Sequence, residues 1–216
     1  MKISKRLQSL AGLITSEDIV ADIGCDHALL DIYLVLNNIV SKVLVSDVNE
    51  NALANGINNI KKYHLEDKII PKLGNGIETI TDDINTLIIS GMGTSTIKKI
   101  LSNNKLNQIK KLIIESNNDY YLLRSFICSK GFYISHENVI YDNGKYYINI
   151  VFLRGHQNYS VKELTYGPIL INGNKDYFEY LYNKNMNILD NIPKYKIGER
   201  LKIRKSNILL KKLKRK

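Results

Sequence analysis

The chain has 216 residues, 44% of them hydrophobic, and carries 31 Lys and Arg against 21 Asp and Glu. That is enough apolar material for one sizeable core plus an appendage. No apolar run is long enough to span a membrane, and Met1 to Arg6 leads into spaced apolar residues and not a signal peptide. The two cysteines, Cys25 and Cys128, fit no metal-ligand spacing. A cytosolic protein with reduced thiols, no metal and a monomeric state is expected. The positive charge is localised. Residues 1–159 hold 17 Lys and Arg against 16 Asp and Glu, whereas residues 160–216 hold 14 against 5. Positive charge gathered on a small appendage is the footprint of a phosphate-backbone partner.

Ile3, Leu7, Leu10 and Ile14 recur at helical spacing and predict an opening amphipathic helix. A buried strand follows at 19–23, then a turn around Gly24, then a helix from about His27 to Asn37 that is apolar on most sides. Lys42 to Val48 reads as a second strand, and Asn49 is placed to cap the next helix, whose inner face carries Leu53, Ile57 and Ile60. Further strands are expected at Ile69–Leu73, Leu87–Ser90 and Leu112–Ile114. A Thr/Ser-capped helix lies between the last two, and a helix capped by Asp119 runs on to Gly131. Capped helices alternating with five short apolar strands argue for a parallel sheet covered on both faces. The pattern then changes: Asn143-Gly144 joins two strands, 132–142 and 145–154, as a hairpin. Past Gly155, Tyr166-Gly167-Pro168 makes a turn. Phe178, Tyr182, Met186 and Leu189 mark a helix that ends before Pro193, and a last helix turns Leu201, Ile208, Leu209 and Leu213 inward. The two should pack as an antiparallel pair.

The expected fold is therefore α/β, a seven-stranded Rossmann-like sheet of the class I methyltransferase layout. Five parallel strands are closed by an antiparallel hairpin, and a C-terminal, coiled-coil-like helical pair follows. The corresponding domains are 1–157 and 158–216.

Three stretches carry chemistry. The turn at the end of the first strand supplies free backbone N–H groups at a helix start, but Asp22 and Asp26 flank it. Two carboxylates repel a pyrophosphate and suit a cation, such as the ammonium and sulfonium of S-adenosylmethionine. Asp47 ends the second strand 25 residues after Asp22, where an acid can accept both hydroxyl hydrogens of a ribose. Gly74-Asn75-Gly76 after the third strand allows close backbone approach and offers an amide to an adenine edge.

Asp22-Ile23-Gly24-Cys25-Asp26-His27-Ala28-Leu29-Leu30, with Asp47-Val48-Asn49, Leu73-Gly74-Asn75-Gly76 and Gly91-Met92-Gly93, closely resembles the bacterial tRNA adenine-N1 methyltransferases that modify adenine 22. The resemblance runs from the N-terminal helix into the helical tail. The family's pattern often has proline where this chain has Asp31, aspartate where it has Asn75, and Gln-Pro-Asn where it has Glu115-Ser116-Asn117. The resemblance implies S-adenosyl-L-methionine as cofactor and tRNA as partner. Asp22, Gly24, Cys25, Asp26, His27, Asp47, Val48, Asn75, Gly76, Gly91 and Met92 would bind the cofactor, and Asp26, His27 and Asn117 would face the target adenine. Lys194, Lys196, Arg200, Lys202, Arg204, Lys205, Lys211 and Lys212, with Lys214, Arg215 and Lys216 beyond them, are the candidate RNA contacts. Two other readings stand beside this one. One is a methyltransferase with another RNA or a small-molecule target; the other is a non-catalytic RNA-binding protein of the same fold.

Overall fold

The structure is a computed structural model that describes residues 1–215, so Lys216 lies outside the described residues. Seven strands form one sheet: β1 (Val20–Ile23), β2 (Val43–Asp47), β3 (Ile69–Leu73), β4 (Thr86–Met92), β5 (Lys111–Ser116), β6 (Phe132–Asp142) and β7 (Lys145–Arg154). Their spatial order is β3-β2-β1-β4-β5-β7-β6. The pairs among β1 to β5 are parallel, and β7 runs antiparallel to both β5 and β6. The β6–β7 connection is Asn143-Gly144, both at positive φ (48° and 78°), as a two-residue turn matched to strand twist requires.

Alternation along the strands divides the core into two layers. Ala21 and Ile23, Leu87 and Ile89, and Leu112 and Ile114 face one side, where α4 (Thr94–Leu101) and α5 (Tyr120–Ser129) pack. Val20, Ile88 and Ile113 face the other, covered by α1 (Lys5–Ala11), α2 (Leu29–Leu36) and α3 (Glu50–Lys62). Asn49 caps α3 by accepting from the N–H groups of Asn51 and Ala52.

Two expected caps are absent. Asp119 precedes α5 at φ 51° with no side-chain capping bond, and Gly93 precedes α4 without one. Asn118 takes over at α4, its Oδ1 accepting from the Thr94 N–H at 3.0 Å. The second helix begins at Leu29 and not His27, because Asp26 and Ala28 both sit in the left-handed region.

The tail holds α6 (Val161–Tyr166), which the sequence reading missed, then α7 (Lys175–Asn191) and α8 (Ile197–Leu213). α7 and α8 run antiparallel: Asn185 donates to Asn207 at 2.9 Å, and Lys214 pairs with Glu179 at 3.2 Å. Tyr166, Phe178, Leu210 and Leu213 enter the same core as β5 and β7. The inward face of α8 differs from expectation. Leu210 and Leu213 are buried, whereas Leu201 and Ile208 are exposed, as is Met186 on α7. Only the ends of the pair nearest the sheet have a second layer to pack against. A buried ion pair ties tail to body. Arg124 of α5 meets Glu137 of β6 at 2.8 Å, Glu137 accepts from the Ile169 N–H at 3.0 Å, and Arg124 donates to the Leu164 carbonyl at 3.0 Å.

Candidate functional site

The strand order reverses between β1 and β4, and in an open α/β sheet a crevice opens at the carboxyl ends there. The β1–α2 turn is pinned in that crevice by its backbone, the N–H groups of Gly24 and Cys25 donating to the Ser46 carbonyl at 2.7 and 3.2 Å. Gly24 has φ +80°, and a Cβ there would collide with the Met92 methyl group. Asp26 and His27 point outward from the turn, with their side chains 68% and 50% exposed and 3.7 Å apart.

Two cavities flank the turn. One, of about 450 Å³, is lined by Asp22, Gly24, Cys25, Asp26, His27, Asp47, Gly91 and Met92, together with Arg6 and Leu7 of α1. The other, of about 250 Å³, is lined by Gly24, Asp47, Val48, Asn75, Gly76 and Met92. Gly24, Asp47 and Met92 are shared, so the two are lobes of one cleft. Asp47 sits at their junction, where its carboxylate accepts from the Asn49 N–H at 2.9 Å and faces the Asp26 N–H at 3.4 Å. Asn117 stands at the rim. Its N–H donates to the Met92 carbonyl at 2.8 Å and its amide to the Gly91 carbonyl at 2.5 Å, which ties the end of β5 to that of β4.

The cleft floor is acidic. Asp22 of β1 and Asp31 of α2 are both buried, and Asp22 Oδ1 and both Asp31 oxygens find no hydrogen-bond donor among the described residues. Burial first, and then the Asp47 charge, push the Asp22 carboxyl up to about 7, although the neighbouring Asp31 carboxyl group and the Arg6 charge pull it down. Burial and the neighbouring Asp22 hold Asp31 well above the usual carboxylate range, so Asp31 is the protonated partner. Burial also raises the Cys25 thiol, which leaves no thiolate nucleophile at the turn.

Arg6 supplies the nearby positive charge. Its Nε lies 2.8 and 2.9 Å from the two oxygens of Glu115, its Nη2 lies 2.8 Å from Oε1, and its backbone N–H donates to Asp142 at 3.2 Å. Its guanidinium also stands 5.2 Å from the Tyr147 ring centre. Glu115 is fully buried, and this fork gives both of its carboxyl oxygens a hydrogen-bond partner at the end of β5. Burial works against the Arg6 charge, but the bond to Glu115 and its charge raise the guanidinium pKa on balance.

Sequence reasoning missed Arg6 and Asp31 as members of the site. A charged residue within the apolar run Leu29–Leu36 was the available signal for Asp31, whereas nothing in the pattern distinguishes Arg6 from its neighbour Lys5.

The basic residues of the tail lie away from the cleft. Lys194, Lys196, Lys202, Arg204, Lys205, Lys211 and Lys212 are exposed along the Pro193 turn and α8. Lys196 pairs with Glu199 at 3.1 Å. Arg200 is committed elsewhere, donating to the Leu189 and Ile192 carbonyls at 2.6 and 2.7 Å and so capping the end of α7.

Seven strands in this order, an antiparallel closing hairpin and an acid-floored cleft at the reversal point define a methyltransferase domain of the Rossmann-like class. The methyltransferase domain family matches residues 3–150 of the chain. The tRNA (adenine(22)-N(1))-methyltransferase of Bacillus subtilis is 30% identical over 150 residues, which is 68% of this chain and 63% of that protein's length. A Streptococcus agalactiae protein of the NADB-Rossmann superfamily superposes with TM-score 0.92 at 30% identity, over 99% of this chain and 98% of that one. M. capricolum TrmK, solved with S-adenosyl-homocysteine, superposes with TM-score 0.82 at 29% identity, over 98% of this chain and 97% of that one. The chain belongs to the tRNA (adenine(22)-N(1))-methyltransferase family.

Proposed function

We propose that the chain transfers a methyl group from S-adenosyl-L-methionine to N1 of adenine 22 in tRNA. The observation that carries this reading is the two-lobed cleft with Asp47 at its junction and an unpartnered, buried Asp22 oxygen on its floor. The donor set fits a cationic nucleoside. Among the described residues Asp22 has no cation in contact, as an ammonium ligand requires, and Asp47 can receive two ribose hydroxyls. The lobe with Val48, Asn75 and Gly76 gives an adenine ring an apolar wall and an amide.

S-adenosylmethionine supplies an electrophilic methyl carbon; the rest falls to the chain. Neutral adenine already presents a lone pair at N1, so no residue need remove a proton to begin. The protein's tasks are to align N1, exclude water and stabilise the positive charge that develops on the ring, and alignment alone supplies several kcal/mol. Gly91 and Met92 border the cleft where the base would approach. Asn117 is clamped to the Gly91 carbonyl beside the cleft, and Asp26 and His27 line its larger lobe together with Gly91 and Met92. In this reading residues 1–157 carry the chemistry. Residues 158–216 hold the tRNA through the exposed lysines and arginines of the Pro193 turn and α8.

The test is label transfer from S-adenosylmethionine to a bare tRNA transcript, with binding of the cofactor alone measured by calorimetry. Cofactor binding with methylated tRNA is expected. Cofactor binding with labelling of small nucleosides but not tRNA would favour a small-molecule enzyme. No cofactor binding would leave a non-catalytic RNA-binding protein.

A further inference from the structure

The β6–β7 hairpin projects past the carboxyl edge of the sheet. On β7, Asn149 is level with Glu115, and Tyr146 lies three residues further out, on the order of 10 Å along the strand. Tyr146 is the centre of an aromatic row. Its ring centre is 4.8 Å from Tyr141 across the hairpin and 4.8 Å from Tyr180 on α7, and Tyr177 lies behind it at 5.6 Å. Tyr177 is 9% exposed and does the packing, whereas Tyr141 is 57% and Tyr180 39% exposed. The hydroxyls of Tyr141, Tyr146 and Tyr180 make no hydrogen bond among the described residues. Rings needed only to dock the tail would be covered as Tyr177 and Phe178 are.

The row is continuous with two other features. At one end Asp142, beside Tyr141, holds the backbone of Arg6, which lines the cleft. At the other, Tyr180 opens a groove of about 560 Å³ along α7, where Asn183, Lys184, Asn187 and Lys196 stand beside an apolar floor of Ile188, Ile192 and Pro193. Aromatic faces followed by amides and lysines are the surface that binds unpaired nucleotides, whose bases stack on rings and whose phosphates take cations. Among the described residues, the cavity under the row is lined by one acid, Asp176, next to Lys175.

We infer that Tyr141, Tyr146 and Tyr180 form a stacking platform for unpaired bases of the tRNA strand next to the target adenine, and that the α7 groove carries that strand toward Lys196. This rests on the tRNA reading above and adds a surface separate from the basic face of α8.

The experiment compares wild type with Tyr141→Ala, Tyr180→Ala, Tyr141→Phe and Tyr180→Phe, full chain, against the tRNA transcript. Each alanine variant should weaken tRNA binding roughly 5- to 100-fold, while each phenylalanine variant, which keeps the ring, stays within about twofold of wild type. Cofactor affinity and melting temperature should not move in Tyr141→Ala; if Tyr180→Ala melts early, Tyr141→Ala and the two phenylalanine variants carry the result. Alanine variants that bind tRNA like wild type, from a wild type that methylates it, overturn the platform and leave the tRNA reading intact. A wild type that neither binds nor methylates tRNA overturns both. A variant that loses a self-associated state in sedimentation without losing tRNA affinity assigns the row to a second copy of the chain and also overturns it.

Discussion

Replacing Asp22 by Asn should make the free protein more stable at alkaline pH while abolishing tight cofactor binding. Asp22 is fully buried and its carboxyl is raised from an ordinary 3.8 to about 7, chiefly by burial. A raised acid holds its proton in the folded state after the unfolded chain has released it. Its contribution to stability is therefore fully present below about pH 4 and is lost as pH rises through about 7. The difference between 3.8 and about 7 corresponds to roughly 4 kcal/mol at most. An amide keeps the shape and cannot ionise, so Asp22→Asn should melt up to roughly 8–16 °C above wild type near pH 8, with the difference shrinking steadily as pH falls and nearly gone below about pH 4. The assay is thermal unfolding against pH, with and without S-adenosylmethionine. The ligand should raise the melting temperature of wild type far more than that of the variant. Affinity of wild type should improve about tenfold between about pH 6 and pH 8, as the carboxyl ionises. A variant that is less stable than wild type at pH 8, or a difference that does not change with pH, would refute the reasoning.

Arg6→Met leaves Glu115 fully buried without its ion-pair partner and should cost about 3–5 kcal/mol of stability; adding Glu115→Gln should recover much of it, as thermal or urea unfolding will report. Asp47→Ala removes the acceptor at the junction of the two lobes and should weaken cofactor binding at least about tenfold in calorimetry, with little change in melting temperature. Binding to tRNA should fall with salt at roughly 0.7–0.9 log units per log unit for each phosphate contacted, and neutralising Lys202, Lys205, Lys211 and Lys212 together should flatten that slope. An unchanged slope would remove α8 from the interface.

Features written in local chemistry were legible from the residues. Asn143-Gly144 dictates a hairpin turn wherever it falls between alternating strands, and Asp47 at a strand end is placed by periodicity alone. The five parallel strands follow from apolar runs too short for helices and separated by caps. What could not be read depends on partners distant in sequence. Arg6 and Glu115 are 109 residues apart, and Arg124 meets the tail carbonyls 40 residues on. Asp31 reads as a helix-start acid until Asp22 is brought against it by the packing of α2 on β1. The inward face of α8 was only half legible for the same reason, with Leu209 and Leu213 on the core as expected and Leu201 and Ile208 not. Leu201 and Ile208 satisfy helical spacing, but the other layer ends before it reaches them.

The central claim is tested most directly by methyl transfer to a cognate tRNA transcript beside the same transcript carrying guanine at position 22. Label in the first, recovered as 1-methyladenosine at that position, and none above background in the second is the predicted result. Equal labelling of the two, or label recovered in any other nucleoside, would contradict the assignment.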